Sequence, residues 1–144
     1  NGKQLDAIAR APLWAAGLDF AHGTGHGVGH VLSVHAGPAS ISKRGDAALE
    51  AGMVLSNEPG YYQTGDWGIR IENLIVVTPV KQTGFLEFET ITLCPLDRRL
   101  IDKTRLDAGE IDWIDRYHRA VYEQLHPHLS PMAKSWLEAA CRPL

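Results

Sequence analysis

The residues best suited to chemistry fall in three clusters. The first is His22-Gly-Thr-Gly-His26-Gly-Val-Gly, followed by His35 in Val34-His35-Ala36-Gly37-Pro38. Imidazole is a ligand for zinc, cobalt and manganese-type ions, and interleaved glycines let a backbone approach an ion or a substrate closely. The second is Asn57-Glu58-Pro59-Gly60-Tyr61-Tyr62, with a carboxylate at a strand end just before a Pro-Gly turn. The third is Gly68-Ile69-Arg70-Ile71-Glu72-Asn73, where strand alternation sets Arg70 and Glu72 on one face and Ile69 and Ile71 on the other. Each cluster by itself reads equally well as a polar turn, a solvated acid or a surface ion pair. Together they offer an imidazole and two carboxylates, an oxygen-rich set that suits manganese or cobalt better than a thiolate-seeking ion. His22 and His26 are four apart, yet no Glu follows His22 and glycines fill the turn, which excludes the HExxH helix of a zincin.

Positioning these side chains falls to a helix, a strand-rich middle and two further helices. Leu5, Ile8, Ala9, Pro12, Leu13 and Ala16 keep a helical period, so a helix is expected over about residues 4–16, kinked at Pro12 and stopped by Gly17. The glycine run after it is a tight loop. Short β-branched stretches at Val31–Val34, Met53–Ser56, Ile69–Val77 and Ile91–Leu93 read as strands. Asp107 and Glu110 form a capping-box pattern ahead of Ile111, Ile114, His118, Val121 and Leu125, predicting a helix to about His126. Ser130 and Pro131 open a last helix with Ala133, Trp136, Leu137, Ala140 and Cys141 on its apolar face. The order predicts an α+β class, with helices packed over an antiparallel sheet.

Composition bounds the rest. At 144 residues, 44% hydrophobic and 22% charged, the chain is expected to form one compact, soluble unit. Bases and acids number 5 and 7 in residues 1–72 and 9 and 10 in residues 73–144, so neither half is a basic patch and nucleic acid is not an expected partner. No stretch approaches the ~20 apolar residues of a membrane span, and the start at Asn1 suggests a piece of a longer protein. Cys94 and Cys141 have no CxxC spacing and read as two buried free thiols of a reducing, cytoplasmic setting. His30, His118, His126 and His128 read as structural, and Trp14, Trp113 and Trp136 as core or interface residues.

In order and spacing, HGTGHGVG, VH-x-GP, EPGYY and GIRIEN resemble the motif blocks of the aminopeptidase P family, pita-bread (creatinase/aminopeptidase) metallopeptidases of family M24. The resemblance covers about residues 4–80, and Glu110–Trp113, Tyr117-His118 and Trp136–Glu138 extend it through the tail. It implies the carboxyl-terminal half of that fold, with a motif-bearing sheet region at 1–80 and a strand and helical extension at 81–144. It implies metal binding by His26, Glu58 and Glu72, catalytic roles for His22, His35, Glu58 and Arg70, and substrate contacts from His22, His35 and Tyr62. Two divalent ions are implied, manganese first, with cobalt or zinc as alternatives. Two aspartate ligands and the amino-terminal domains of the family have no counterpart in this chain, so the fragment is expected to be inactive alone. The family pattern most often reads VHEGP, whereas Ala36 stands here in place of that Glu. The implied substrates are peptides with proline at position two, and the implied assembly is a homodimer. Prolidase, or a metal-free creatinase-like or binding homologue, are the alternatives.

Overall fold

Asn1 begins the chain as a helix cap: its side chain accepts from the Gln4 amide at 3.2 Å, and the Gln4 side chain returns to the Asn1 amino group at 2.9 Å. In this computed structural model, which describes residues 1–31 and 33–144, helix α1 therefore starts at Gly2 and runs to Ala15 with Pro12 inside it. Gly17 follows at φ +72°, a left-handed conformation that glycine adopts without strain. The buried face corrects the expectation from periodicity. Gly2, Asp6 and Arg10 are buried, whereas Ile8 is 69% and Trp14 46% exposed. A charged stripe at four-residue spacing faces inward because the chain beyond the helix satisfies it.

Two short strands, β1 (Gly25–His26) and β2 (Ser40–Ile41), pair antiparallel. Strand β3 (Val54–Asn57) pairs with β6 (Asn73–Pro79), and β6 with β7 (Leu86–Thr90), in a three-stranded antiparallel sheet. Between them, β4 (Gly60–Gln63) and β5 (Trp67–Arg70) form a hairpin. The core of this unit is Ala39, Ile41, Leu55, Ile75 and Val77, with Leu5, Leu49 and Met53 packed against it.

Three strand expectations are corrected. Ile69–Val77 is two strands broken at Ile71 and Glu72, opposite Pro59, which has no N–H to give a ladder. Ile91–Leu93 is not a strand. The strand lies just upstream, where Leu86 and Phe88 alternate with Glu87 and Glu89, and beyond it the Ile91 amide donates to the Leu74 carbonyl at 2.9 Å. The expected strand Val31–Val34 includes Leu32, which lies outside the described residues. Val31 has φ +51°, incompatible with a strand.

The chain divides into two compact units, Asn1–Thr92 and Leu93–Leu144, where composition predicted one. In the second unit, helix α2 (Ala108–Leu125) carries the expected capping box, with Glu110 N donating to Asp107 Oδ1 and Asp107 N to Glu110 Oε2, both at 2.9 Å. Helix α3 (Pro131–Ala140) is capped by Ser130. Tyr117, Val121 and Leu137 form the core of this unit. His118 is fully buried and its Nε2 accepts the Leu96 amide at 3.0 Å, a structural role as read from the sequence. Trp113 and Trp136 are exposed rather than core. Both cysteines are free thiols, but neither is buried as expected: Cys94 is exposed and Cys141 half-buried. Among the described residues, no helix is long and apolar enough to cross a membrane.

Candidate functional site

The glycine run folds close over β3 because it lacks side chains. A Cβ at Gly25 would overlap the Ser56 carbonyl oxygen, so only glycine brings β1 this near. His26 is thereby set beside the end of β3, and its Nε2 lies 3.2 Å from Glu58 Oε1. The other ring nitrogen, Nδ1, is 3.0 Å from the Gly27 carbonyl, which can only accept, so Nδ1 carries the proton. In the neutral ring this leaves the Nε2 lone pair facing a carboxylate oxygen. Two electron-rich atoms in that position call for a cation between or beside them, a proton or a metal ion. A backbone carbonyl fixing the imidazole tautomer is the usual support of a metal-ligating histidine. As oriented, His26 Nε2 and Glu58 Oε1 fit two of the ligands of a divalent ion.

Glu58 is held at both ends. Its amide donates to the Thr24 carbonyl at 2.7 Å, turned away from the strand ladder, and its Oε1 accepts the Ser56 hydroxyl at 2.9 Å. Its Oε2 lies 3.8 Å from Arg70 Nε. The ladder explains where Glu72 falls. Asn57 pairs with Asn73 in β3 and β6, and Gly60 with Arg70 in β4 and β5. Carrying either register into the break sets Glu58 opposite Glu72 and Pro59 opposite Ile71. The two carboxylates thus share one interrupted rung of the hairpin. The Glu72 side chain is exposed, and among the described residues no three His, Cys, Asp or Glu side chains gather closely enough to hold a metal ion.

The remaining candidates form a chain of contacts leading to Glu58. Arg70 Nε donates to Tyr62 Oη at 2.9 Å, and Tyr62 Oη lies 2.7 Å from His22 Nε2. His22 Nδ1 gives its proton to the Gly23 carbonyl at 2.7 Å, so Nε2 accepts and the tyrosine hydroxyl donates to it. His35 is exposed, its ring centroid 4.2 Å from that of His26. His30 is exposed and enters none of these contacts.

Sequence reasoning missed the support beneath this site. Arg10, 1% exposed, donates from Nε to Asp6 Oδ2 at 2.9 Å. Its other nitrogens donate to Asp19 Oδ1 and the Phe20 carbonyl, both at 2.7 Å, and to the His22 carbonyl at 2.6 Å. The guanidinium also lies over the Phe20 ring, 3.8 Å from its centroid. Asp6 Oδ1 accepts the Thr24 hydroxyl at 2.6 Å. Burial alone would raise the Asp6 carboxyl, yet hydrogen bonds from Arg10 and Thr24, with the guanidinium charge, carry it below its ordinary range. Hydrogen bonding to Arg10 depresses the Asp19 carboxyl more strongly. Helix α1 therefore grips residues 19–24 and fixes where the His22 loop begins. The only sequence signal was the Asp6, Arg10 spacing on one helix face.

An α+β chain whose first unit presents this imidazole and carboxylate arrangement belongs to metallopeptidase family M24: the family matches residues 1–79, and the C-terminal region of peptidase M24 matches residues 84–144. Among its relatives, the probable Xaa-Pro aminopeptidase P of Laccaria bicolor is 45% identical over 100% of this chain and 24% of its own length. Xaa-Pro aminopeptidase 1 of Dictyostelium discoideum is 44% identical over 100% of this chain and 25% of its own. The crystal structure of the X-prolyl aminopeptidase of Caenorhabditis elegans, described as a cytosolic enzyme with a di-nuclear active site, superimposes with a TM-score of 0.88 at 41% identity. It covers 99% of this chain and 25% of that one. The Xaa-Pro dipeptidase of Bacillus anthracis gives 0.54 at 38% identity over 67% of this chain and 25% of its own. The chain thus spans about a quarter of the length of the curated relatives it matches.

Proposed function

We propose that this chain is the metal-bearing carboxyl-terminal part of a cytosolic Xaa-Pro aminopeptidase, which hydrolyses the bond between an amino-terminal residue and a following proline. The observation that carries this reading is the lone pair of His26 Nε2 aimed at Glu58 Oε1 from 3.2 Å. His26, Glu58 and Glu72 would hold divalent metal, with manganese as the ion of choice for an imidazole and two carboxylates. A bound pair of ions supplies Lewis acidity and a water acidic enough to attack near neutral pH.

The chain's own residues do the rest. Glu58 takes a proton from the attacking water and returns it to the departing proline nitrogen. His35, exposed beside the His26 ring, donates a hydrogen bond to the scissile carbonyl as negative charge develops on its oxygen. Arg70 orients Glu58 through Oε2 and holds Tyr62, and Tyr62 in turn fixes the His22 ring on the proline side of the substrate. The further ligands implied by the family resemblance have no counterpart in this chain, so by itself it binds divalent metal weakly and does not turn over. The exposed faces around Trp113 and Trp136 support assembly as a homodimer.

Prolidase is the competing reading, and near-complete coverage by the Caenorhabditis elegans aminopeptidase against 67% by the Bacillus anthracis dipeptidase supports the first. The test uses the full-length protein, metal-stripped and restored with manganese, on Xaa-Pro-Xaa tripeptides and Xaa-Pro dipeptides. Metal-dependent release of the amino-terminal residue from tripeptides is expected. Turnover that survives exhaustive chelation, or cleavage of dipeptides alone, would overturn the reading.

A further inference from the structure

Ser56 sits fully buried in β3, next to Leu55 of the apolar core. Successive strand residues point to opposite faces, so with Leu55 turned into that core the Ser56 side chain is turned toward β1. There its Oγ lies 3.0 Å from the His26 amide and 2.9 Å from Glu58 Oε1. The directions follow from chemistry. An amide N–H only donates and an ionised carboxylate only accepts, so the hydroxyl takes a hydrogen bond from His26 and gives its own proton to Glu58. One oxygen atom, sealed from water, therefore ties the two residues together from behind.

The tie matters because Glu58 has several rotamers open to it and only some present Oε1 to His26 Nε2. The hydroxyl holds Oε1 in that position and leaves Oε2 turned toward Arg70. It also fixes the His26 backbone, so both ends of the 3.2 Å contact share one anchor. The close approach of β1 at Gly25 is what allows a side chain as short as serine to span the gap.

We propose that Ser56 is a positioning residue for the His26 and Glu58 pair, and that its hydroxyl sets the affinity of this pair for a divalent cation. The inference rests on the metallopeptidase reading above. Loss of a partner that orients a metal ligand lowers metal affinity or activity by about 10- to 100-fold.

The experiment titrates manganese chloride into metal-stripped full-length protein by calorimetry, for wild type, Ser56→Ala and Ser56→Thr, with circular dichroism as the check on folding. We expect the alanine protein to keep its fold and weaken manganese binding by about 10- to 100-fold, and threonine, which keeps the hydroxyl, to stay within about threefold of wild type. Should the alanine protein unfold, Ser56→Cys replaces it, keeping the size of the side chain but only a weak donor, and the same loss is expected. Wild-type affinity in the alanine or cysteine protein overturns the proposal. So does a folded threonine protein as weak as alanine. A wild-type protein that binds no manganese overturns the metallopeptidase reading and this inference with it. A wild type that binds manganese while Ser56→Ala binds equally well overturns this inference alone.

Discussion

Replacing Arg10 by Met removes the buried charge that holds α1 to the His22 loop while keeping most of the side chain's volume. The guanidinium makes four hydrogen bonds, to Asp6, Asp19, the Phe20 carbonyl and the His22 carbonyl. Asp19 is 40% exposed and returns to water, so its pair contributes little. Asp6 cannot do the same. Its side chain is 2% exposed and would keep only the hydroxyl and amide of Thr24 as donors among the described residues. Stranding one partner of a buried ion pair costs about 3–5 kcal/mol, set against the roughly 5–15 kcal/mol that a domain has in total. The same logic predicts that Asp6→Asn combined with Arg10→Met is more stable than Arg10→Met alone, because no uncompensated charge remains. Urea unfolding of the full-length variants, with hydrogen exchange to localise the loss to residues 19–24, measures both effects. A cost below about 1 kcal/mol for Arg10→Met, or a double variant as unstable as the sum of its parts, would refute the argument.

His35→Ala in the full-length enzyme should lower kcat by about 100-fold or more, as removal of an oxyanion donor does. Its manganese content should be unchanged, and equal loss of metal would make His35 a ligand instead. Burial, and then the Arg98 charge, hold the His118 imidazole below its ordinary value of 6.5, so the unfolded chain binds more protons between those two values. Stability from His118 is therefore complete above about pH 6.5 and is lost as pH falls through the lower, folded value. The urea midpoint of residues 93–144 should drop on acidification from pH 7 to 5, and His118→Gln should flatten that slope; an unchanged slope contradicts the assignment. Light scattering on the full-length protein at micromolar concentration should return the mass of a dimer, and a monomer mass counts against the Trp113 and Trp136 face as an interface.

What was legible in the sequence was what local chemistry decides. The two carboxyl-terminal helices follow from Asp107 with Glu110 and from Ser130 with Pro131, each within one turn. The pairing of His26 with Glu58 comes only from the family resemblance, since each cluster alone reads equally well as a polar turn or a solvated acid. The illegible parts depend on partners far along the chain. A helical period marks a stripe but not its sense, and Asp6 with Arg10 turned inward because Thr24, Phe20 and His22 supply their partners. The break at Ile71 and Glu72 is imposed from the opposite strand, where Pro59 has no amide and the Glu58 amide is spent on Thr24. Ser56 looked like an ordinary strand residue because its role appears only when β1 is folded against β3.

In the proposed function, His26, Glu58 and Glu72 bind one metal centre. Manganese anomalous diffraction from crystals of the full-length protein tests it most directly. An anomalous peak is expected within bonding distance of His26 Nε2 and of carboxylate oxygens from both Glu58 and Glu72. Anomalous density elsewhere, with those three side chains engaged only in protein hydrogen bonds, would contradict it.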